Sequence, residues 1–355
     1  MSEPELRRFS PWRQSATPYA LPLRRQRRRW HLLSGLRWWR IITLATCVLC
    51  QACTPLSSQR PAPPDNPVPA QRFLFRDGGS ALFYTVDKSL SLSPELPAST
   101  IVFFISGSDC ASMQYFLPQY FRGLEGESGP IRILVLQKRF IDAQTWGRDT
   151  GCSRDFIKAD HFSQWLADQT EFITAQLAGV PLQDRPQRIV IAGVSEGGEV
   201  VPALARTIPG VTHAVIIGNG GMHPLDAYRL LLAKHPGSKA TRARAALRSL
   251  AQHPADPDAG IEALGGRSWR YWSELAALHH TDNLLALSMP LHVAVGGADT
   301  AVPVASARYL QQQFDLHHKS NLRLKIYPGA DHGLKTNSHI NLGDFWFQFD
   351  VDMRK

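Results

Sequence analysis

Short runs of β-branched and aliphatic residues alternate with longer segments of helical periodicity along most of the chain. Runs of this length, bounded by glycine, proline or polar residues, are typical of buried strands. Strands are predicted at 72–76, 81–86, 100–105, 131–136, 188–193, 211–217, 290–295 and 322–327. Helices are predicted near 111–122, 161–178, 196–207, 303–314 and 340–352, and a long loop at 138–160. This alternation predicts an α/β protein with a mostly parallel, doubly wound sheet, preceded by a hairpin of the first two strands.

One long interval, residues 222–288, interrupts this alternation after the sixth predicted strand. It is rich in helical pattern and carries the aromatic residues Trp269, Tyr271 and Trp272. Insertions at the carboxyl ends of strands in an open parallel sheet lie over the ligand site. We therefore expect a helical lid over the active site, with a decoration of the surface as the alternative.

The formal charge of +9 is concentrated at the start of the chain. Residues 1–52 contain ten arginines against two glutamates, whereas the rest of the chain contains 29 basic and 28 acidic residues. Because this body is nearly neutral, the basic composition does not indicate nucleic-acid binding. We expect a leader at 1–53, an extended linker with six prolines at 54–71, and one folded domain at 72–355.

The leader has the layout of an export signal. Arginines through Arg40 precede a weakly apolar segment at 41–52, which as a helix would be about 18 Å long. This is too short to cross a hydrocarbon core of about 30 Å. A basic flank, a short apolar segment and a small residue before the cleavage point are typical of a secretory signal peptide.

The end of the leader, Ala52-Cys53, resembles a bacterial lipobox, in which the cysteine is lipidated and becomes the mature N-terminus. With Thr54 after it, Cys53 resembles the first residue of lipoproteins sorted to the outer membrane. We therefore expect export to the bacterial cell envelope, with the domain facing the periplasm on a lipid anchor. Ordinary cleavage of the leader and a retained anchor are the alternatives.

A candidate nucleophile lies in the segment 188–200, Arg-Ile-Val-Ile-Ala-Gly-Val-Ser-Glu-Gly-Gly-Glu-Val. The apolar strand ends at Gly193, and a helical pattern begins just after Ser195. Residues 193–197 fit G-x-S-x-G, a turn so tight that small residues must flank it and the serine is held out at its tip. There the hydroxyl can meet a base on one side and a substrate carbonyl on the other.

A serine hydroxyl becomes a good nucleophile only beside a positioned base, which is in turn oriented by an acid. Asp299 lies in a turn just past the seventh predicted strand, and His332 lies in the loop just past the eighth. These two residues are the candidate acid and base. Asp331, adjacent to the histidine, is expected to point elsewhere, and Asp226 and Asp282 are the alternative acids.

The order Ser195, Asp299, His332 along the chain resembles that of the α/β-hydrolases, and the resemblance extends over about 72–352. The Ser-Glu-Gly-Gly end of the turn is similar to esterases and peptidases of the dienelactone-hydrolase and prolyl-peptidase-like branches. The resemblance implies an α/β-hydrolase fold with a Ser-His-Asp triad.

An oxyanion hole follows from the same resemblance. In this family one backbone N–H comes from the residue after the nucleophile and another from the loop after an early strand. Here these residues would be Glu196 and Ser108, with Asp109 as the next choice. The His-Gly pair frequent in that loop is replaced by Ser106-Gly107, which leaves the backbone donors in place. The Glu196 side chain is expected either to orient a substrate amine, as in some related peptidases, or to point to solvent.

Two cysteines remain beyond the leader, Cys110 directly after this loop and Cys152 in the long loop after the strand predicted at 131–136. Export to an oxidising compartment favours their pairing. In the α/β-hydrolase fold, we expect that strand to neighbour the strand before Ser195, so that the bridge pins one loop to the other. Two free buried thiols are the alternative.

These features predict a serine hydrolase that cleaves carboxylic esters through an acyl-enzyme. A serine peptidase or an acyltransferase would use the same residues, and a non-catalytic lipoprotein that binds within the envelope is the alternative of another class. No metal-ligand spacing and no glycine-rich phosphate loop occur, so neither a metal nor a cofactor is predicted. The expected partners are a small-molecule ester or acyl substrate, and the membrane through the lipid anchor.

Lipidation of Cys53 can be tested on protein expressed with its leader in a bacterial host. We expect the mature N-terminal peptide to carry a diacylglyceryl group on Cys53, because the lipobox-like segment precedes it. Mass spectrometry of that peptide measures the modification, and Cys53→Ser should release the protein from the membrane fraction. A mature N-terminus at any other residue would contradict the expectation.

Overall fold

The computed structural model describes residues 67–90, 96–144 and 151–354. These residues belong to one unit of the chain, Ala62–Lys355. The predictions for the leader, Cys53 among them, and for most of the linker fall outside the described residues.

A mixed sheet of eight strands forms the centre of the described structure, in the order β1-β2-β4-β3-β5-β6-β9-β10. The strands are β1 Gln71–Leu74, β2 Ser80–Lys88, β3 Thr100–Ile105, β4 Ile131–Leu136, β5 Arg188–Val194, β6 Val211–Ile217, β7 Gly260–Ile261, β8 Arg267–Ser268, β9 Leu291–Gly296 and β10 Leu322–Tyr327. β1 pairs antiparallel with β2, and β2 with β4, whereas the remaining neighbours are parallel. The predicted hairpin and the mostly parallel sheet are therefore confirmed.

Helices follow the strands along the chain. They are α1 Leu117–Tyr120, α2 Arg154–Ala159, α3 Phe162–Ala178, α4 Gly197–Thr207, α5 Pro224–Lys234, α6 Ser238–Ser249, α7 Trp269–Ala276, α8 His280–Leu285, α9 Val304–Leu316 and α10 Asn341–Asp352. Among the described residues, none of these helices has the length and apolar character needed to cross a bilayer.

Successive residues of a strand point to opposite faces of the sheet. Buried apolar residues lie on both of these faces. In β3, Phe103 belongs to the apolar cluster that includes Leu204 of α4. Its neighbour Phe104 belongs to the opposite cluster, which includes Trp346 of α10. Helices therefore cover both faces of the sheet, as the alternation of strands and helices predicted.

The helix predicted at 111–122 is broken in the structure. A 3₁₀ turn, Met113–Tyr115, is followed by the four-residue helix α1. Pro118 lies in the first turn of α1, where its missing N–H is tolerated. In a continuous helix from residue 111, the same proline would remove a hydrogen bond and clash with the carbonyl four residues earlier.

The loop predicted at 138–160 contains the short helix α2. Ser153 caps this helix, since its Oγ accepts a hydrogen bond from the Phe156 N–H at 3.1 Å. A serine followed by an acidic residue in the first turn, here Asp155, is a helix-start signal that could have been used.

The strand before Cys152 does not neighbour the strand before Ser195, so that expectation is wrong. β3 lies between β4 and β5, because the chain turns outward from β3 to β4 and then crosses back to the other side of β3. Cys110 and Cys152 instead follow the adjacent strands β3 and β4. They are joined as a disulfide with their Cα atoms 5.7 Å apart. Ile141 and Phe156 pack against Cys110.

The 222–288 insertion contains α5 to α8 and the hairpin of β7 with β8. Its helices α5, α6 and α7 share an apolar cluster that includes Leu225, Leu247 and Trp272, whereas Leu284 of α8 belongs to a cluster of the sheet. Glu274 of α7 accepts hydrogen bonds from the N–H and hydroxyl of Ser163 on α3, at 2.7 and 2.8 Å. The insertion therefore has a core of its own and is also held to the helices beside the sheet.

Formation of the disulfide stays a prediction for the protein in solution. Because the bond closes a loop with a sequence separation of 42 residues, we expect Cys110→Ala/Cys152→Ala to lower the free energy of unfolding by about 2–4 kcal/mol. Urea denaturation measures this change, and reduction of the wild type should reproduce it. A peptide map under non-reducing conditions that finds both thiols free would contradict the bond.

Candidate active site

Ser195 occupies the turn between β5 and α4 in a strained backbone conformation. Its φ is +54°, in the left-handed region that residues other than glycine rarely adopt. A Cβ on Gly193 would lie 2.8 Å from the Gly198 nitrogen, and one on Gly197 would overlap the carbonyl oxygens at the end of β3. Glycine is required at both positions because backbone meets backbone there, as G-x-S-x-G predicts.

The backbone of Ser195 is held by neighbouring strand ends. Its N–H donates to the Ile217 carbonyl at 2.7 Å, and its carbonyl accepts from Asn219 Nδ2 at 2.8 Å. On the other side, a Cβ added to Gly107 would lie 3.3 Å from the Ser195 Cβ. The loops after β3 and β6 therefore flank the serine.

His332 and Asp299 are hydrogen-bonded to each other. His332 Nδ1 and Asp299 Oδ2 are 2.7 Å apart. The other carboxylate oxygen of Asp299 accepts from the N–H groups of Ala301 and Val302, at 2.7 and 2.9 Å. Because the Asp299 side chain is only 1% exposed whereas that of His332 is 31% exposed, the acid is fixed in place and the imidazole can still reach a ligand.

The serine and the histidine both lie at the end of β6. The Ser195 N–H donates a hydrogen bond to the Ile217 carbonyl. A Cβ on the next residue, Gly218, would lie 3.1 Å from His332 Cε1. Among the hydrogen bonds of the described residues, none joins Ser195 Oγ to His332 Nε2. The structure thus brings the two side chains to one strand end without linking them directly.

The alternative acids lie elsewhere. Asp331 accepts hydrogen bonds from the N–H groups of Gly333 and Lys335 in its own loop. Asp226 pairs with Arg229 on the surface of α5, and the Asp282 side chain is 79% exposed. Asp299 is therefore the carboxylate placed to orient His332.

The loop after β3 carries Ser108 beside the serine. Ser108, Ser195 and Glu196 line one cavity of about 200 Å³. Within the part of the chain that the structure describes, neither the Ser108 N–H nor the Glu196 N–H donates to a protein acceptor. Both donors are thus free to bind an oxygen atom, whereas Asp109 uses its carboxylate to cap the N–H of Ala111.

The 222–288 insertion forms the opposite wall of this cavity. Three of its aromatic residues contribute to the wall, namely Tyr228, Tyr271 and Trp272. Two of the aromatic residues noted in the sequence, Tyr271 and Trp272, therefore reach the cavity, whereas Trp269 packs against His253 and bonds to the Leu250 carbonyl.

The Glu196 side chain does not point to solvent but joins a buried ion network beside the cavity. It accepts a hydrogen bond from Lys138 Nζ at 2.8 Å, and the same nitrogen donates to Asp160 at 2.6 Å. Asp160 also pairs with Arg267 of β8. The Lys138 ammonium lies 3.9 Å from the centre of the Trp165 ring.

Burial changes the protonation of this network. It lowers the pKa of Lys138 to about 8, although the Glu196 carboxylate acts in the opposite direction. Burial also raises the pKa of Tyr271 well above its ordinary value, and the charge of Glu196 adds to that effect. The network therefore links α4, the loop after β4 and the insertion through groups that have little contact with water.

Sequence reasoning missed the members of this network other than Glu196. Lys138, Asp160 and Arg267 are widely separated along the chain and match no motif. The one available signal was the position of Lys138, two residues past the end of a buried strand, where a parallel sheet places its functional side chains.

Among the described residues, no group of three or more histidine, cysteine, aspartate or glutamate side chains is placed to hold a metal ion. The chemistry supported by the present groups is nucleophilic, with a serine, a histidine, an acid and two backbone donors at one edge of the sheet.

No known protein-family model matches the sequence, and no curated protein does either. The structure is similar to Est1E from Butyrivibrio proteoclasticus, with a TM-score of 0.53 and 16% identity over 80% of this chain and 98% of that one. A structure described as ferulic acid bound to Est1E gives a TM-score of 0.54, at 16% identity and the same coverage of both chains.

Two further solved structures are similar. A lipase in its open form gives a TM-score of 0.53 and 15% identity, over 81% of this chain and 99% of that one. Acylaminoacyl peptidase from Pyrococcus horikoshii gives 0.51 and 12% identity, over 82% of this chain and 42% of that one. The predicted α/β-hydrolase fold is thereby confirmed.

The buried network makes a quantitative prediction for Lys138. Because Lys138→Met leaves the buried Glu196 carboxylate without its cation and Asp160 with Arg267 alone, we expect it to lower the free energy of unfolding by about 3–5 kcal/mol. The matched control is Arg132→Met, which removes the exposed ion pair with Asp87 and should cost less than about 1 kcal/mol. Chemical denaturation of both variants measures the difference, and equal losses would contradict the network's role.

Proposed function

We propose that the protein is a serine hydrolase that cleaves carboxylic esters. The observation that carries the proposal is the 2.7 Å contact between His332 Nδ1 and Asp299, placed at the strand end that also holds Ser195. An acid fixed by two backbone N–H groups serves to keep the second imidazole nitrogen free as a base.

In the proposed reaction, His332 Nε2 takes the proton of Ser195 Oγ as that oxygen attacks the ester carbonyl carbon. The negative charge formed on the carbonyl oxygen is stabilised by the N–H groups of Ser108 and Glu196. Collapse of this intermediate breaks the bond to the alcohol oxygen, which receives the proton from His332. Water, deprotonated by the same imidazole, then attacks the acyl-enzyme and releases the acid and Ser195.

The missing hydrogen bond between Ser195 and His332 is compatible with this role. Catalytic hydrogen bonds are often long in a free enzyme and tighten only in the complex with substrate. Ser195 is fixed by its backbone strain and His332 by its acid. The reaction requires Ser195 Oγ and His332 Nε2 to come within hydrogen-bond distance when substrate is bound.

Ester hydrolysis is favoured over the other activities of such a site. The solved structures with this fold include a lipase and Est1E with ferulic acid bound, and the cavity of about 200 Å³ suits a small substrate. A peptidase would use the same groups, and the similarity to an acylaminoacyl peptidase keeps it as the second candidate. We also propose that the 222–288 insertion acts as a lid and that the enzyme is anchored in the cell envelope through Cys53.

A fluorophosphonate probe tests the nucleophile. Because the probe reacts only with an activated serine, we expect it to label the folded protein once and Ser195→Ala not at all. Mass spectrometry of the labelled peptide measures the position. An intact folded protein that takes no label would favour the non-catalytic lipoprotein instead.

Asp299→Asn and Asp331→Asn form a matched pair of isosteric substitutions. Both variants are measured by fluorophosphonate labelling and by hydrolysis of p-nitrophenyl acetate. Asp299→Asn should lower kcat/KM by about 10²–10⁴-fold, because His332 then loses the acceptor that sets its tautomer. Asp331→Asn removes the adjacent carboxylate, which serves only its own loop, and should change kcat/KM by less than about threefold. Equal losses would contradict the assignment of the acid.

A further inference from the structure

The cavity beside Ser195 combines an acidic floor with an aromatic wall. Glu196 and Glu199 line it from the start of α4, and Tyr228, Tyr271 and Trp272 line it from the insertion. The Trp272 ring centre lies 5.1 Å from the ring centres of both Tyr228 and Tyr271. Aromatic faces and carboxylates are the groups that bind alkylammonium ions in proteins.

The charges around the cavity are unbalanced when Glu199 is ionised and no ligand is bound. Lys138 and Arg267 are matched by Asp160 and Glu196, to which they are directly paired. Glu199 is the surplus acid, and among the described residues its Oε2 atom is buried and has no hydrogen-bond partner. Ionising a buried carboxyl without a cation beside it is costly, so Glu199 carries its full charge only when a cation occupies the cavity.

The protonation of Glu199 agrees with a missing cation. Burial is the main cause that raises the pKa of Glu199 to about 8, and the Glu196 carboxylate raises it further. Asn219, by hydrogen bonding, and Lys138, by its charge, act in the opposite direction. An ammonium group in the cavity would favour the ionised carboxylate, whereas a neutral ester would not.

We propose that the enzyme is selective for esters that carry an alkylammonium group, which binds between the Glu199 carboxylate and the ring faces of Tyr228 and Trp272. This inference rests on the proposed function and names the substrate class for that site. The cation can come from either side of the ester bond, because the cavity begins at the nucleophile itself. Both the alcohol and the acyl part are therefore tested below.

Binding is measured first, because it does not require catalysis. Choline and 3,3-dimethylbutan-1-ol have nearly the same shape and differ in charge. We expect calorimetry on the full protein at pH 8 to give a Kd for choline at least tenfold lower than for the neutral alcohol. Glu199→Gln should bring the two values within about threefold of each other, while Glu262→Gln, which removes an exposed acid of the insertion, should keep the difference.

Hydrolysis then locates the cation. For the alcohol side, acetylthiocholine is compared with S-(3,3-dimethylbutyl) thioacetate. For the acyl side, the p-nitrophenyl ester of 4-(trimethylammonio)butanoate is compared with that of 5,5-dimethylhexanoate. We expect kcat/KM to favour the cationic member at least tenfold in one pair, and Glu199→Gln to remove that preference. The ratio within each variant is the readout, so a general loss of activity does not affect it.

The outcomes separate this inference from the proposed function. Hydrolysis of both members of each pair at similar rates, together with equal binding of the two alcohols, would overturn the substrate class and leave the hydrolase intact. A cationic preference that survives in Glu199→Gln would also overturn it. Selective choline binding without hydrolysis of any ester would support the ammonium site and count against the hydrolase.

Discussion

Contact of backbone against backbone at the end of β5 is the constraint on which the site depends. The chain reverses from β5 into α4 so closely that a side chain on Gly193 or Gly197 would meet the main chain of the same turn or of β3. This crowding holds Ser195 at a positive φ and directs its side chain outward. It also places the start of α4, with Glu196 and Glu199, at the bottom of the cavity, so nucleophile and acidic floor come from one turn.

The sequence predicted this part of the molecule well because each signal was local. The strands are marked by short runs rich in β-branched and aliphatic residues, and β3, β4, β6 and β10 begin and end at the residues predicted. The glycines around Ser195 and the residues just past the last two strands of the sheet were found in the same way. Parallel strands present their carboxyl ends at one edge, so residues far apart in the chain could be brought together by counting strands alone.

The order of the strands could not be obtained from such local signals, and there the prediction was wrong. An apolar run such as 131–136 carries no information about which strand is its neighbour in the sheet. β4 was therefore predicted to lie next to β5, although β3 separates them. The break at Pro118 and the short helix α2 were missed for a different reason, since the signals were present but were outweighed by the surrounding pattern.

The buried network was beyond sequence reasoning for a physical reason. A lysine, an aspartate and an arginine in separate loops look like ordinary surface charges, and only the fold removes them from water around Glu196. The expected alternatives for the Glu196 side chain considered a substrate and the solvent, but not a partner inside the protein. The Glu196 carboxylate is therefore already paired inside the protein. Glu199 is the acid that remains available to bind a ligand.

The bond between Cys110 and Cys152 ties the geometry of the oxyanion loop to its chemical surroundings. Ser108 lies two residues before Cys110, and that end of the loop is held covalently to the segment that leads into α2. In a reducing cytosol the same loop end would keep its apolar packing against Ile141 and Phe156 but lose the covalent link. If the bond forms in solution as we expect, protein matured in an oxidising and in a reducing environment would share a sequence but differ in the rigidity of this wall of the site.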